Sequence, residues 1–100
     1  MKELSRYDFN EEIRLSENSA VIFMAPWCSF CESLLKICEA VEKLSPETDF
    51  FKVNIEENSE LASKYEVKSV PTTIVFKSSN ELARKTGLMS KRELLEMAKT

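Results

Sequence analysis

The chain of 100 residues has 43% hydrophobic residues, which suits one compact domain and leaves too little chain for two hydrophobic cores. Its 14 basic residues are dispersed among 17 acidic ones, and the formal net charge of -3 excludes the basic surface that nucleic-acid binding requires. We therefore expect a single domain over residues 1–100 with no nucleic-acid partner.

Hydrophobic periodicity predicts five strands and four helices in the order β-α-β-α-β-α-β-β-α. In chain order the predicted elements are an extended segment at Leu4, a helix around Phe9 to Leu15, a strand over 20–25, a helix over about 28–44, a strand over 49–55, a helix over 57–65, strands over 72–76 and 81–86, and a helix around Leu94. Strands separated by helices imply parallel neighbours, and the late hairpin implies an antiparallel edge. The sequence therefore predicts an α/β fold with a mixed central β-sheet, a parallel core and an antiparallel C-terminal hairpin, flanked by helices on both faces.

Three local signals predict how helices begin. Ser5 with Asp8 predicts a capped start for the first helix, and Asn58 is a candidate cap for the third. Ser90, followed three residues later by Glu93, predicts a capping box before the last helix.

The N-terminus and the longest apolar run bear on location. Residues 1–6 lack the apolar core of a signal peptide, and the run over 20–27 is far too short to span a bilayer. The sequence therefore predicts a cytoplasmic monomer with no membrane contact. An export signal removed by processing would leave the same pattern, so that alternative stays open.

The chain has three cysteines and no histidine. An odd count argues against a framework of structural disulfides, and closely spaced cysteines in a reducing compartment more often serve catalysis or metal binding. The absence of histidine excludes a Cys-His catalytic pair and any zinc site with histidine ligands.

Cys28 and Cys31 stand where the strand over 20–25 gives way to the long helix. Unpaired N–H groups and the positive end of the helix dipole favour a thiolate at this place, and the thiolate is the attacking form. A spacing of three residues puts both sulfurs on one helix face, close enough for a disulfide. The alternative is a pair of buried inert cysteines or half of a metal site.

Three motifs together carry a family resemblance. Trp27-Cys28-Ser29-Phe30-Cys31 opens the long helix, Val70-Pro71-Thr72 follows about 40 residues later in a βαβ frame, and Gly87 precedes the last helix. Over nearly the whole chain this pattern resembles thioredoxin. The resemblance implies the thioredoxin fold and a thiol-disulfide oxidoreductase that reduces protein disulfides. It also implies that Cys28 is the exposed nucleophile, which attacks the substrate to form a mixed disulfide, and that Cys31 resolves it.

The resemblance implies roles for three further residues. Trp27 would shield the disulfide and offer an apolar docking surface, with core packing as the alternative. Pro71 would be in the cis form facing the cysteines, which would leave the Val70 backbone free to pair with an extended substrate. The implied partners are disulfide-containing proteins and a thioredoxin-reductase-like or other dithiol electron donor. No metal and no cofactor are implied beyond the redox-active disulfide of Cys28 and Cys31.

The sequence departs from the family pattern at Ile22, where thioredoxins usually carry a buried aspartate. Lys52 matches the lysine that pairs with that aspartate and is a candidate modulator of thiol ionisation. Without the carboxylate, we expect Cys31 to ionise less readily. Phe30 is expected to enlarge the apolar surface beside the site. Cys38 is expected to fill the core, the alternative being a third reactive or metal-binding thiol.

Two other classes of function stay open from the residues alone. A disulfide isomerase or a glutaredoxin-like enzyme would use the same cysteine pair, although Trp27 directly before Cys28 favours thioredoxin. A non-enzymatic metal-binding or redox-sensing module would need an outside ligand, because three thiols without histidine fall short of the four ligands of structural zinc.

Overall fold

The computed structural model describes residues 1–100 and has the predicted order of elements. The strands and helices are β1 (Lys2–Glu3), α1 (Phe9–Leu15), β2 (Asn18–Met24), α2 (Ser29–Leu44), β3 (Asp49–Asn54), α3 (Ser59–Lys64), β4 (Thr72–Lys77), β5 (Asn80–Thr86) and α4 (Lys91–Ala98). The strands form one sheet in the order β1-β3-β2-β4-β5. β1, β3 and β2 are parallel, whereas β4 and β5 are antiparallel to their neighbours. The predicted mixed sheet is thus confirmed.

Alternation along β2 sends apolar side chains to both faces of the sheet. The first core, on the side of α1 and α3, contains Leu4, Phe9, Ile13, Val21, Phe23, Phe51, Val53, Leu61, Ile74 and Phe76. The second core, on the side of α2 and α4, contains Ala20, Ile22, Leu34, Cys38, Val41, Phe50, Val75, Met89, Leu94 and Ala98. Helices therefore lie on both faces, as predicted. No helix combines the length and the apolar character needed to cross a membrane.

The ends of the first two strands differ from the prediction. β2 begins at Asn18, two residues earlier than the predicted start at residue 20, because Asn18 and Ser19 already pair with β4. The N-terminal strand is Lys2–Glu3, and Leu4 follows it with a side chain buried in the first core. Strand pairing, which no local signal reveals, sets both boundaries.

The capping box of α4 is confirmed in both halves. The Ser90 hydroxyl accepts a hydrogen bond from the Glu93 N–H at 3.1 Å, and the Glu93 carboxylate accepts one from the Ser90 N–H at 3.1 Å. Two of the unpaired donors at this helix end are thereby satisfied.

The predicted pairing of Ser5 with Asp8 is present before α1, whereas the side-chain cap predicted for α3 is wrong. The Asp8 carboxylate accepts from the Ser5 N–H at 2.7 Å, and the Ser5 Oγ accepts from the Tyr7 N–H at 3.2 Å, as in a capping-type start. Asn58 is the N-cap residue of α3 but makes no side-chain capping bond. Its amide oxygen instead accepts from the Arg6 N–H at 2.8 Å, so a contact with the N-terminal turn has taken the place of the cap.

Two residues other than glycine have positive backbone φ angles. Glu66, after α3, and Ser78, in the β4–β5 turn, both have a φ of 54°. A side chain in this left-handed region costs about 1–2 kcal/mol relative to glycine.

Candidate active site

Cys28 lies at the junction that β2 and α2 create. It is the N-cap residue of α2, with extended backbone angles of φ -95° and ψ 107°. Its Sγ accepts a hydrogen bond from the Cys31 N–H at 3.2 Å. A sulfur thus does what a serine or aspartate oxygen usually does at a helix start, and the predicted position at the helix N-terminus is confirmed.

Cys28 and Cys31 belong to a small cysteine cluster together with Ala25. Met24, Ile55 and Val70 pack against this cluster from three different segments. Cys31 is 1% exposed and Cys28 is 8% exposed, and both thiols are unpaired. The sequence predicted an exposed nucleophile, and the structure corrects this because the surrounding side chains leave only a small part of Cys28 open to solvent.

The two sulfurs have unequal surroundings. Burial, reinforced by the hydrogen bond with Cys28, raises the pKa of the Cys31 thiol to about 12. Cys31 therefore holds its proton at neutral pH. The sequence predicted that Cys31 ionises less readily, and the raised pKa agrees with this. The largest cause of the raised pKa is desolvation of the thiol by burial.

The loop before β4 brings Val70 and Pro71 to the cysteine cluster. The Val70–Pro71 peptide bond is cis, as the resemblance implied. The Val70 carbonyl accepts from the Cys28 Sγ at 3.8 Å, whereas the Val70 N–H has no acceptor within the chain. A free N–H next to the more exposed thiol is a place where an extended polypeptide can form a backbone hydrogen bond.

Two large aromatic side chains flank the cysteines at the surface. Trp27 is 68% exposed and Phe30 is 63% exposed. Core packing, the alternative considered for Trp27, is therefore wrong. The Trp27 Nε1 donates to the Glu56 Oε2 at 2.7 Å. Sequence reasoning missed Glu56, although its place just after β3, next to the end of β2 in the sheet, was a signal that could have found it.

Ile22 and Lys52 are paired in register between β2 and β3, two residues before β2 ends at Met24. Ile22 is fully buried in the second core. Lys52 takes part in no salt bridge and does not contribute to the shifted pKa of Cys31. The structure does not bring Lys52 to the sulfurs, and its role in thiol ionisation stays a prediction. On the other side of Ile22 lies Thr73, whose buried hydroxyl has no partner.

Cys38 lies apart from the cysteine cluster. It is fully buried in the second core and unpaired, which confirms that it fills the core. Burial raises the pKa of its thiol to about 12, with the carboxylates of Glu42 and Glu39 adding to the shift. No group of three or more Cys, Asp or Glu side chains is placed to hold a metal ion.

The chain is similar to thioredoxins both in sequence and in structure. The family model described as "Thioredoxin" matches residues 1–100. The thioredoxin of Rickettsia bellii is 39% identical over 90 residues, covering 88% of this chain and 86% of that protein. The thioredoxin of Chlamydia pneumoniae is 44% identical over 77 residues, covering 77% and 76%. The solved structure of Plasmodium falciparum thioredoxin superposes with a TM-score of 0.90 at 28% identity, covering 97% and 98%.

Proposed function

This chain belongs to the thioredoxin family, and we propose on that premise that Cys28 and Cys31 are the sulfurs through which it reduces protein disulfides. The activity of the chain is that of a thiol-disulfide oxidoreductase, specifically a protein-disulfide reductase. Such an enzyme works through its own dithiol and needs no cofactor. The isomerase, glutaredoxin-like and metal-binding alternatives are not favoured by these relatives.

One observation carries the assignment of the two sulfurs. The more exposed sulfur caps the helix and accepts the N–H of the more buried one, so the two cysteines are adjacent but unequal. Unpaired N–H groups at a helix start favour negative charge, and Cys28 is the sulfur that lies at the start of α2. Cys28 is therefore the sulfur that attacks the substrate, and Cys31 is the sulfur that resolves the mixed disulfide.

The reaction has two exchange steps. The Cys28 thiolate attacks one sulfur of the substrate disulfide, a new bond forms from Cys28 to that sulfur, and the second substrate sulfur leaves as a thiolate and takes up a proton. Cys31 then loses its proton and attacks the Cys28 sulfur, and the first substrate sulfur leaves and is protonated. The substrate gains two electrons and two protons, and the protein holds a disulfide between Cys28 and Cys31.

The surface beside Cys28 supports the docking roles of Trp27, Val70 and Pro71. An extended substrate segment adds to the free Val70 N–H, since the carbonyl of the same residue already contacts the Cys28 Sγ at 3.8 Å. The exposed rings of Trp27, directly before Cys28, and Phe30, directly before Cys31, supply apolar contact for the substrate.

The partners follow from the reaction. The substrates are disulfide-containing proteins, and a reductase-type donor must return two electrons to the disulfide of Cys28 and Cys31. We further infer a single domain over residues 1–100 that acts as a monomer in the cytoplasm, without membrane or nucleic-acid partners. A dithiol that must be reduced after each turnover suits a reducing compartment. Lys52 stays a candidate modulator of thiol ionisation.

Reduction of insulin by dithiothreitol tests the assignment, with each variant compared with the unmodified chain. Cys28→Ser is expected to lose at least about 1000-fold in rate, because the nucleophile is gone. Cys38→Ser, which removes the thiol buried in the second core, serves as the control for loss of any cysteine. Equal activity of Cys28→Ser and the unmodified chain would contradict the proposal.

A further inference from the structure

The indole of Trp27 lies at the surface beside Cys28 and is held by a single polar contact. It is 68% exposed, and its Nε1 donates to the Glu56 Oε2 at 2.7 Å. It stacks on no other aromatic ring and lies under no cation. An exposed side chain samples several rotamers unless a contact selects one, so this hydrogen bond decides where the ring rests.

Glu56 is itself held in place by the turn that follows β3. Its N–H donates to the Asn54 Oδ1 at 2.9 Å, and Asn54 is only 9% exposed. The Asn54 carbonyl accepts from the Asn58 Nδ2 at 3.0 Å, and the Ile55 N–H donates to the Met24 carbonyl at 2.9 Å. The turn is thus tied to α3 and to the strand that leads to Cys28, and the Glu56 carboxylate reaches the indole from a fixed backbone.

The Glu56 carboxylate has no competing partner. It forms no salt bridge with any lysine or arginine, although such pairs are common elsewhere on this surface. The one hydrogen bond of its side chain is with the Trp27 indole. A hydrogen bond from a neutral N–H to a carboxylate is stronger than one between neutral groups. The Glu56 carboxylate is therefore free to hold the Trp27 indole in one position.

We propose that Glu56 is a positioning residue for disulfide reduction, acting through Trp27. The carboxylate holds the indole beside Cys28 before the substrate arrives, so that docking does not have to order the ring. The inference rests on the proposed function of Cys28. Because the ordered ring serves both the bound substrate and the transition state, loss of Glu56 is expected to raise KM more than it lowers kcat.

The experiment compares Glu56→Ala, Glu56→Gln and Glu60→Ala in the complete chain. Glutamine keeps an oxygen that can accept from the indole, whereas Glu60→Ala removes one exposed carboxylate that pairs with Arg6 and does not contact Trp27. Two quantities are measured: kcat and KM for insulin reduction, and the fluorescence anisotropy decay of Trp27, which is the only tryptophan in the chain.

Glu56→Ala is expected to raise KM about three- to tenfold, with kcat within about twofold, and to speed the local motion of Trp27. Glu56→Gln is expected to recover most of both changes, and Glu60→Ala to show neither. An unchanged KM, or a raised KM with unchanged Trp27 motion, would overturn the inference. Neither result touches the proposed function, which fails only if Cys28→Ser keeps full activity.

Discussion

Cys31 and Cys38 lie about two turns apart on α2 and differ in what surrounds them rather than in their own ionisation. Both are buried, and burial raises the pKa of both thiols to about 12. Cys31 has the Cys28 sulfur beside it in the cysteine cluster, whereas Cys38 has only side chains of the second core. In this fold a neighbouring sulfur that is partly open to solvent, rather than a low pKa of its own thiol, makes a buried cysteine useful in redox chemistry.

The largest effect is expected from Cys31→Ser, which should trap the substrate on the protein where Cys38→Ser should not. Cys31→Ser removes the resolving sulfur, so the substrate should stay bound to Cys28 as a mixed disulfide and turnover should fall at least about 100-fold. Intact-mass spectrometry after reaction with insulin measures the adduct. Cys38→Ser is the control and should show no adduct. If Cys38→Ser trapped substrate as well, the contrast between the two thiols would be wrong.

Ile22→Asp sharpens the comparison by placing a carboxylate in the second core, on the strand that leads to Cys28. A proton acceptor at this position should speed resolution by Cys31 and change the pH dependence of the rate. Burying a charge in the second core should lower the free energy of unfolding by about 3 kcal/mol, with Lys52 in register and the free hydroxyl of Thr73 offsetting part of the loss.

The matched control for this change is Ile22→Asn, which has a similar shape and cannot take up a proton. Stopped-flow exchange rates between about pH 6 and pH 8 compare the two variants, and urea unfolding gives their stabilities. Identical pH-rate profiles for Ile22→Asp and Ile22→Asn would show that a carboxylate at position 22 does not assist resolution by Cys31.

Unfolding at alkaline pH measures how much each buried thiol contributes to the pH dependence of stability. From the ordinary pKa of 9.0 up to about 12, the folded protein keeps the protons of Cys31 and Cys38 that the unfolded chain has lost. Stability therefore falls as pH rises through this window, by at most about 1.4 kcal/mol per pH unit for each thiol. Cys38→Ala should remove only the share of Cys38, at most about 1.4 kcal/mol per pH unit, and leave the share of Cys31.

Urea unfolding of the reduced protein at several pH values above about 8 measures this slope. Since the comparison uses slopes, the smaller stability of Cys38→Ala at every pH does not affect it. An unchanged slope in Cys38→Ala would mean that the buried thiol of the second core does not hold its proton more tightly than the unfolded chain does.

Ser78→Gly is expected to have the smallest effect and tests whether stability alone alters the reactive thiol. Glycine relieves the left-handed backbone at φ 54° and should add about 1 kcal/mol, which corresponds to a rise of a few degrees in Tm. The rate of insulin reduction should not change, because the turn lies away from the cysteine cluster. A changed rate would indicate that global stability limits catalysis.

Periodicity and spacing predict the element order, the sheet type and the place of Cys28. They failed where contacts distant in sequence decide. Asn58 was expected to cap α3, and its side chain instead holds the N-terminal turn. Trp27 could not be assigned to the core or the surface, because a single aromatic residue fits both. The place of Glu56 just after β3 indicates that it lies near the end of β2, but the contact of its carboxylate with the indole depends on the folded chain.

The sequence by itself determined that a strand delivers two cysteines, three residues apart, to the start of a helix, because alternation and helical spacing are local properties of the chain. The tertiary structure decided how much of Cys28 is left open, which backbone groups meet it, and why Cys31 keeps its proton. Those features arise where Val70, Ile55 and Met24 converge on the cysteine cluster. Solvent exclusion and thiol ionisation depend on that convergence, and only the folded chain brings these segments together.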